Sequence, residues 1–255
     1  MSKPLIAIIN CHARPQFQQA IRSTWLPQVP RDLVDVKFFL GRGATREPLP
    51  DEVFLPCGDA YLDLPEKVQE MYRWAVEHDA SYALKCDDDV ILKPQQWASG
   101  FLRTDFSGWQ DPGCKAGEMR TPWGFCYVLN KNCMERVINA PLPGRPGALH
   151  NYVHGNDEAY VSSVLHYQGI YLTSDPRYFL YMGQKPKPGE GHGAGTLGEE
   201  PKRALRARPP RFTPPPRVPV LDYFAACVYL NWTGWHNTGP DVILREFHRI
   251  FKDGL

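Results

Sequence analysis

The sequence predicts an α/β fold: an open mixed sheet flanked by helices, with a C-terminal helical appendage. Three observations predict it. Short apolar runs alternate with helix-periodic segments through the first half of the chain. Prolines stand where first helical turns tolerate them, at Pro15 and Pro65. The strand-like run Ser81 to Cys86 ends directly on Asp87-Asp88-Asp89, and sheets of this class bind ligands at the carboxyl ends of their strands.

The elements follow in order. Leu5 to Ile9 is a buried-strand run, after which Phe17, Ala20, Ile21, Thr24 and Trp25 recur at the spacing of one helix face. Val34 to Leu40 is the next apolar run, stopped by Gly41, and Val53 to Leu55 is a short strand. Pro65 opens a second helix whose apolar face is Val68, Met71, Tyr72, Ala75 and Val76. Ser81 to Cys86 reads as a strand leading into the aspartates, with Val90-Ile91-Leu92 beyond them. Strand, helix, strand, helix, strand is the order of right-handed crossovers in an open sheet.

An irregular stretch rich in Gly and Pro follows. Then come a strand at Phe125 to Leu129, a short helix at Cys133 to Ile138, a helix at Asp157 to Gln168 stopped by Gly169, and a return to the sheet at Ile170 to Leu172. From about residue 183 the composition shifts. Glycines at 189, 191, 193, 195 and 198 precede a stretch from Pro201 to Pro219 holding seven prolines, six basic residues and no acidic one. The expected organisation is a ligand-binding and catalytic domain at 1–182, a flexible segment at 183–219, and helices at 220–255, namely Val220 to Leu230 and Asp241 to Phe251.

At 255 residues and 43% hydrophobic content the chain can bury a full core, which excludes disorder throughout. A formal net charge of +1 gives no global attraction to nucleic acid or membrane, so any such attraction must be local. Seven cysteines without a CxxC pair point to reduced thiols rather than zinc or redox chemistry. The longest apolar run, Val218 to Leu230, is broken by Pro219 and Asp222 and falls short of the roughly 20 residues of a spanning helix. With no signal-peptide core at the N-terminus, the expectation is a soluble, cytoplasmic protein without a membrane partner.

Three consecutive carboxylates repel one another, so a fold keeps them at a strand end when a cation or hydrogen-bond donors offset the cost. Strand alternation would place Asp87 and Asp89 on one face and Asp88 on the other. Hard carboxylate oxygens suit Mn²⁺ or Mg²⁺, which keep waters and bind substrate phosphates in their remaining positions. The competing reading of an acidic turn yields to the position directly after a buried strand.

Four segments in order carry a resemblance. Ala20-Ile21-Arg22-Ser23-Thr24-Trp25 is similar to R-x-x-I-R-x-T-W, and Asp59 to Lys67 to D-x-Y-x-N-L-x-x-K. Lys85-Cys86-Asp87-Asp88-Asp89-Val90 matches K-x-D-D-D-V, and Gly124 to Leu129 with Asp157 to Val161 resembles G-x-x-Y-V-L followed by E-D-V-Y-V. On these segments the chain resembles the β-1,3-galactosyltransferase and Fringe-like family, whose glycosyltransferase-A fold carries a DxD motif. The departures are Gln18 for the first Arg of the opening motif and Asp63 for the Asn, with no anchor or stem expected, which leave the sugar and acceptor open.

The resemblance implies a metal-dependent, inverting hexosyltransferase that moves a sugar from a UDP-sugar to an acceptor hydroxyl. It implies Asp89 as the direct metal ligand, Asp87 at the ribose or the metal's waters, and Asp88 at the donor sugar. The catalytic base is Glu158 by alignment or Asp157 by residue type. Arg14, Arg22 and Lys67 are candidates for the diphosphate and Asn10 for the base, each with a structural alternative: Arg22 and Lys67 could hold helices together and Asn10 could cap a turn. His192 is the candidate histidine ligand, with His154 and His236 competing, and Trp123 with Tyr127 is a candidate acceptor-stacking wall.

A saccharide or glycoconjugate is the default acceptor. The basic segment, with Lys202, Arg203, Arg206, Arg208, Arg211 and Arg217, raises two alternatives: a hydroxylated base in DNA as acceptor, or a polyanion-binding module whose aspartates are structural. A carboxylate-metal phosphohydrolase would use the same aspartates but has no use for the segments around Trp25, Tyr61 and Tyr127.

Overall fold

A computed structural model describes residues 2–92, 104–110, 119–146, 156–174, 178–181 and 225–228, with the side chains of 123, 178–181 and 225–228 excepted. Strands β1 (Leu5–Ile9), β2 (Asp35–Leu40) and β3 (Glu52–Phe54) are followed by β4 (Tyr82–Asp87) and β5 (Val90–Leu92). Then come β6 (Phe106–Gln110), β7 (Pro122–Asn130), β8 (Thr173–Ser174), β9 (Tyr178–Tyr181) and β10 (Ala225–Val228). The helices are α1 (Pro15–Ser23), α2 (Leu64–Glu77), α3 (Lys131–Ile138) and α4 (Asp157–His166). The fold is mixed α/β.

Seven strands form one mixed sheet in the order β3-β2-β1-β4-β7-β6-β8. β1 pairs in parallel with β2 on one side and β4 on the other, and β7 is antiparallel to both β4 and β6. The alternating residues of β1 divide the core. Ile6 and Ile8 join α1 through Phe17, Ala20, Ile21 and Trp25, while Leu5, Ala7 and Ile9 join α2, α3 and α4 through Val68, Met71, Val137 and Val161. Helices therefore cover both faces. Trp25, fully buried, ties the end of α1 to β5 by donating from Nε1 to the Val90 carbonyl at 3.0 Å.

The chain leaves β1 toward β2 and returns on the far side of β1 as β4, so the order reverses between β1 and β4. Ile9 is paired with Asp87 there, and both strands end together. A crevice at such a reversal is where open α/β sheets bind ligands.

Three expectations are corrected. Val220 to Leu230 contains a strand, β10, paired with β5 and β9 in a second three-stranded sheet, where a helix was expected. A short apolar run fits a buried helix or a buried strand equally well, and partners distant in sequence decide. The return to the sheet comes at Thr173–Ser174, just after the expected Ile170 to Leu172. β6 lies within the stretch read as irregular. The expected helix at Asp241 to Phe251, and the whole segment at 183–219, lie outside the described residues. Among the described residues, no helix is long and apolar enough to cross a membrane, and the free cysteines are Cys11, Cys57, Cys86, Cys126 and Cys133.

Candidate functional site

The strand ends surround a cavity of about 220 Å³, lined by Asn10 and Arg14 from the β1 end, Asp59, Tyr61 and Lys67 from the start of α2, and Asp87, Asp88 and Asp89. That is below the ~300 Å³ at which ligand pockets usually begin, so it has room for only part of a larger ligand.

All three aspartates line it. β4 ends at Asp87, so Asp88 and Asp89 sit in the turn before β5, beyond the reach of strand alternation. Asp88 accordingly does not point away from its neighbours: it is 2% exposed, accepts from Asn10 Nδ2 at 2.6 Å and pairs with Arg14 at 3.0 Å. Asp89 is half-buried.

Asn10 acts as a crosspiece. Its Nδ2 donates to Asp88 and its Oδ1 accepts from Gln18 Nε2 at 2.7 Å, which leaves the side chain engaged within the protein. Gln18, at the position where the resembled motif has Arg, thus connects α1 to the aspartate turn. Lys67 is 1% exposed and donates to Asp59 at 2.6 Å and to the Asn10 carbonyl at 3.1 Å. Asp59 also accepts from the backbone N–H groups of His12 and Gly41 at 2.7 and 2.6 Å, joining three loops at the cavity edge. Arg22 stands elsewhere: it pairs with Asp51 and Glu52 at 2.8 and 3.2 Å and does not line the cavity.

Lys85 was not among the candidate site residues, yet it ties the end of β4 to β7 and α4. Its ammonium is 1% exposed and reaches Asp87 at 2.7 Å, Asp157 at 3.2 Å and the Gly124 carbonyl at 2.6 Å. A signal was present: in the strand Tyr82–Asp87 one lysine interrupts an apolar run, two residues before Asp87 and therefore on its face. Asp157 is 3% exposed and also accepts from the Tyr127 hydroxyl at 2.7 Å. Tyr127 is fully buried and so forms no acceptor wall; its ring is core and its hydroxyl anchors Asp157. Glu158, half-buried, lays its carboxylate against the bare α-carbon of Gly124. Trp123 lies in β7 with its side chain outside the described residues, as are His154, His192, His236 and the basic segment at 202–217.

Around the strand ends, the carboxylates Asp59, Asp87, Asp88, Asp89, Asp157 and Glu158 gather against the cations Arg14, Lys67 and Lys85. The imbalance is visible in proton affinity. Burial, with Asp89 and Asp157 adding and Lys85 opposing, pushes Asp87 up to about 7; its side chain keeps 39% exposure, so water tempers the effect. Asp88 is pushed up to about 8 by burial and its neighbouring aspartates, against Arg14. Burial raises Asp89 also, against Arg14 and Lys85. Burial and the Asp157 charge push Glu158 up to about 8. Lys85 is disfavoured by burial, but Asp157 and Asp87 outweigh that and raise its pKa well above the usual range. An excess of negative charge at the end of a parallel strand attracts cations.

No protein-family model matches this chain, and no curated protein does.

Among the described residues no three His, Cys, Asp or Glu side chains form a closed metal-ligand set. A small hard cation does not require one: Mg²⁺ and Mn²⁺ are commonly held by one or two carboxylates, with waters and substrate phosphates completing the sphere. Asp87 and Asp89, the two half-buried aspartates of the three, are the carboxylates that could hold such a cation; Asp87 also pairs with Lys85, and the buried Asp88 is engaged with Asn10 and Arg14.

Proposed function

We propose that the chain is a cation-dependent glycosyltransferase of the glycosyltransferase-A type that transfers a sugar from a UDP-sugar to an acceptor hydroxyl. The carrying observation is that three aspartates line one cavity at the reversal between β1 and β4, together with Arg14 and Lys67.

Asp89 and Asp87 would hold Mn²⁺ or Mg²⁺, which supplies charge neutralisation for the departing diphosphate. Arg14 is the more accessible of the two cations lining the cavity, 40% exposed, paired with Asp88 at 3.0 Å and held over the Phe17 ring at 3.8 Å, and would meet a phosphate oxygen. Asn10, Asp88 and Lys67 keep the loops in position rather than bind the donor, since their polar atoms are engaged with one another and with Asp59. Of the two carboxylates opening α4, Asp157 is tied to Tyr127 and Lys85, which favours Glu158 as the base. In the transfer, the acceptor oxygen bonds to the anomeric carbon as its proton passes to the Glu158 carboxylate. The bond from that carbon to the diphosphate oxygen breaks, and its electron pair leaves with UDP. A saccharide or glycoconjugate acceptor is the simplest partner.

The test is calorimetric titration of UDP and common UDP-sugars with and without Mn²⁺, followed by an assay of UDP release. Cation-dependent binding that Asp89→Ala abolishes is expected. Cation-independent binding, or no binding of any common nucleotide sugar, overturns the reading.

A further inference from the structure

Gly124 lies inside β7, where a glycine weakens a strand and the backbone does not demand one. The glycines with positive φ are Gly43, Gly144 and Gly169, so Gly124 holds a conformation open to any residue among those described. Space is what excludes a side chain. A Cβ at Gly124 would stand 2.7 Å from Glu158 Oε2, 2.8 Å from its Cδ and 3.1 Å from Oε1. On its other side, the Gly124 carbonyl accepts from Lys85 Nζ at 2.6 Å, and the same ammonium holds Asp87 and Asp157. The residue therefore touches the Glu158 carboxylate directly and the donor-side aspartate through one lysine.

We propose that Gly124 is a positioning residue, its missing side chain being the seat that sets the Glu158 carboxylate at a fixed place relative to Asp87. The proposal rests on the transferase reading above. Ordinary contact begins near 3.4 Å, so a methyl group at 124 must displace the carboxylate by several tenths of an ångström. The displaced atoms are the far end of a flexible side chain, so the fold absorbs the change while the reacting geometry does not. Misplacement approaching an ångström can cost up to ~100-fold in rate. Asp157 keeps its place, being anchored by Tyr127 and Lys85 rather than by Gly124.

The experiment compares wild type, Gly124→Ala, Glu158→Asp and the double variant in acceptor-dependent UDP release, alongside Mn²⁺-dependent UDP affinity and thermal unfolding. Gly124→Ala is expected to lower kcat by ~10- to 100-fold with UDP affinity and Tm unchanged. Because Glu158→Asp withdraws the carboxylate by one carbon and vacates the seat, the double variant should lose less than the product of the single losses. Unchanged kcat in Gly124→Ala, strictly multiplying losses, a fall in UDP affinity that accounts for the loss, or failure of Gly124→Ala to fold would each overturn the proposal. A wild type that binds UDP with Mn²⁺ but transfers nothing overturns this inference alone; one that binds no nucleotide sugar overturns the transferase reading itself, and the inference with it.

Discussion

Replacing Lys85 with methionine keeps the length of the side chain and removes its charge. Three contacts are lost: hydrogen bonds to Asp87 Oδ1 and the Gly124 carbonyl, and an ion pair with Asp157 Oδ2. They are not equivalent. Asp87 has 39% of its side chain exposed and can recover water, so its share is about 0–1 kcal/mol. Asp157 has 4% exposed and is left as an uncompensated buried carboxylate, the situation that costs about 3–5 kcal/mol. The expected loss is therefore about 3–5 kcal/mol, dominated by Asp157. Urea denaturation followed by tryptophan fluorescence and far-ultraviolet circular dichroism measures it, with Asp157→Asn and the double variant closing a cycle. Asp157→Asn should recover much of the loss in the Lys85→Met background, giving a coupling of about 2 kcal/mol or more. A single-variant loss below about 1 kcal/mol, or additive losses, would refute the assignment of Lys85 as the counter-charge of Asp157.

Saturating Mn²⁺ with UDP should raise Tm by roughly 5–10 °C at about 100 times the dissociation constant, and Asp89→Ala should abolish the shift in differential scanning fluorimetry. Glu52 has no exposed side-chain surface; although burial opposes ionisation, Arg46, the Leu49 N–H and Arg22 bring it down to about 2. A depressed carboxylate stabilises the fold above its unfolded value near 4.5 and loses that contribution as pH falls toward 2. In Glu52→Gln the stability difference from wild type, roughly 3 kcal/mol at neutral pH, should shrink over that window; a difference independent of pH would refute it. Trp25→Phe removes the bond to the Val90 carbonyl at a fully buried site, and chemical denaturation should register a loss of about 1–3 kcal/mol.

Most of the framework was legible because it depends on local pattern. The apolar runs at Leu5 to Ile9 and Val34 to Leu40, the helix period from Phe17 to Trp25, and Pro15 and Pro65 at helix starts each act over a few residues. The aspartates stood out for the same reason: three like charges after a buried strand conflict with their surroundings unless something offsets them. What pattern could not decide was the state of Ala225–Val228, whose partners Val90–Leu92 and Tyr178–Tyr181 lie far away in the chain.

Side-chain roles divide along the same line. Sequence by itself determined that this is an α/β chain with carboxylates at a strand end, because strand propensity, helix period and charge are properties of neighbours in the chain. Only the tertiary structure decided which of the candidates meet. It turned Arg22 toward Asp51 and Glu52, engaged Asn10 between Gln18 and Asp88, buried Tyr127 beneath Asp157, and made Lys85 the link between Asp87, Asp157 and Gly124. Those outcomes follow from strand register and helix packing across tens of residues, where a buried charge takes whichever partner the assembled fold brings within about 3 Å.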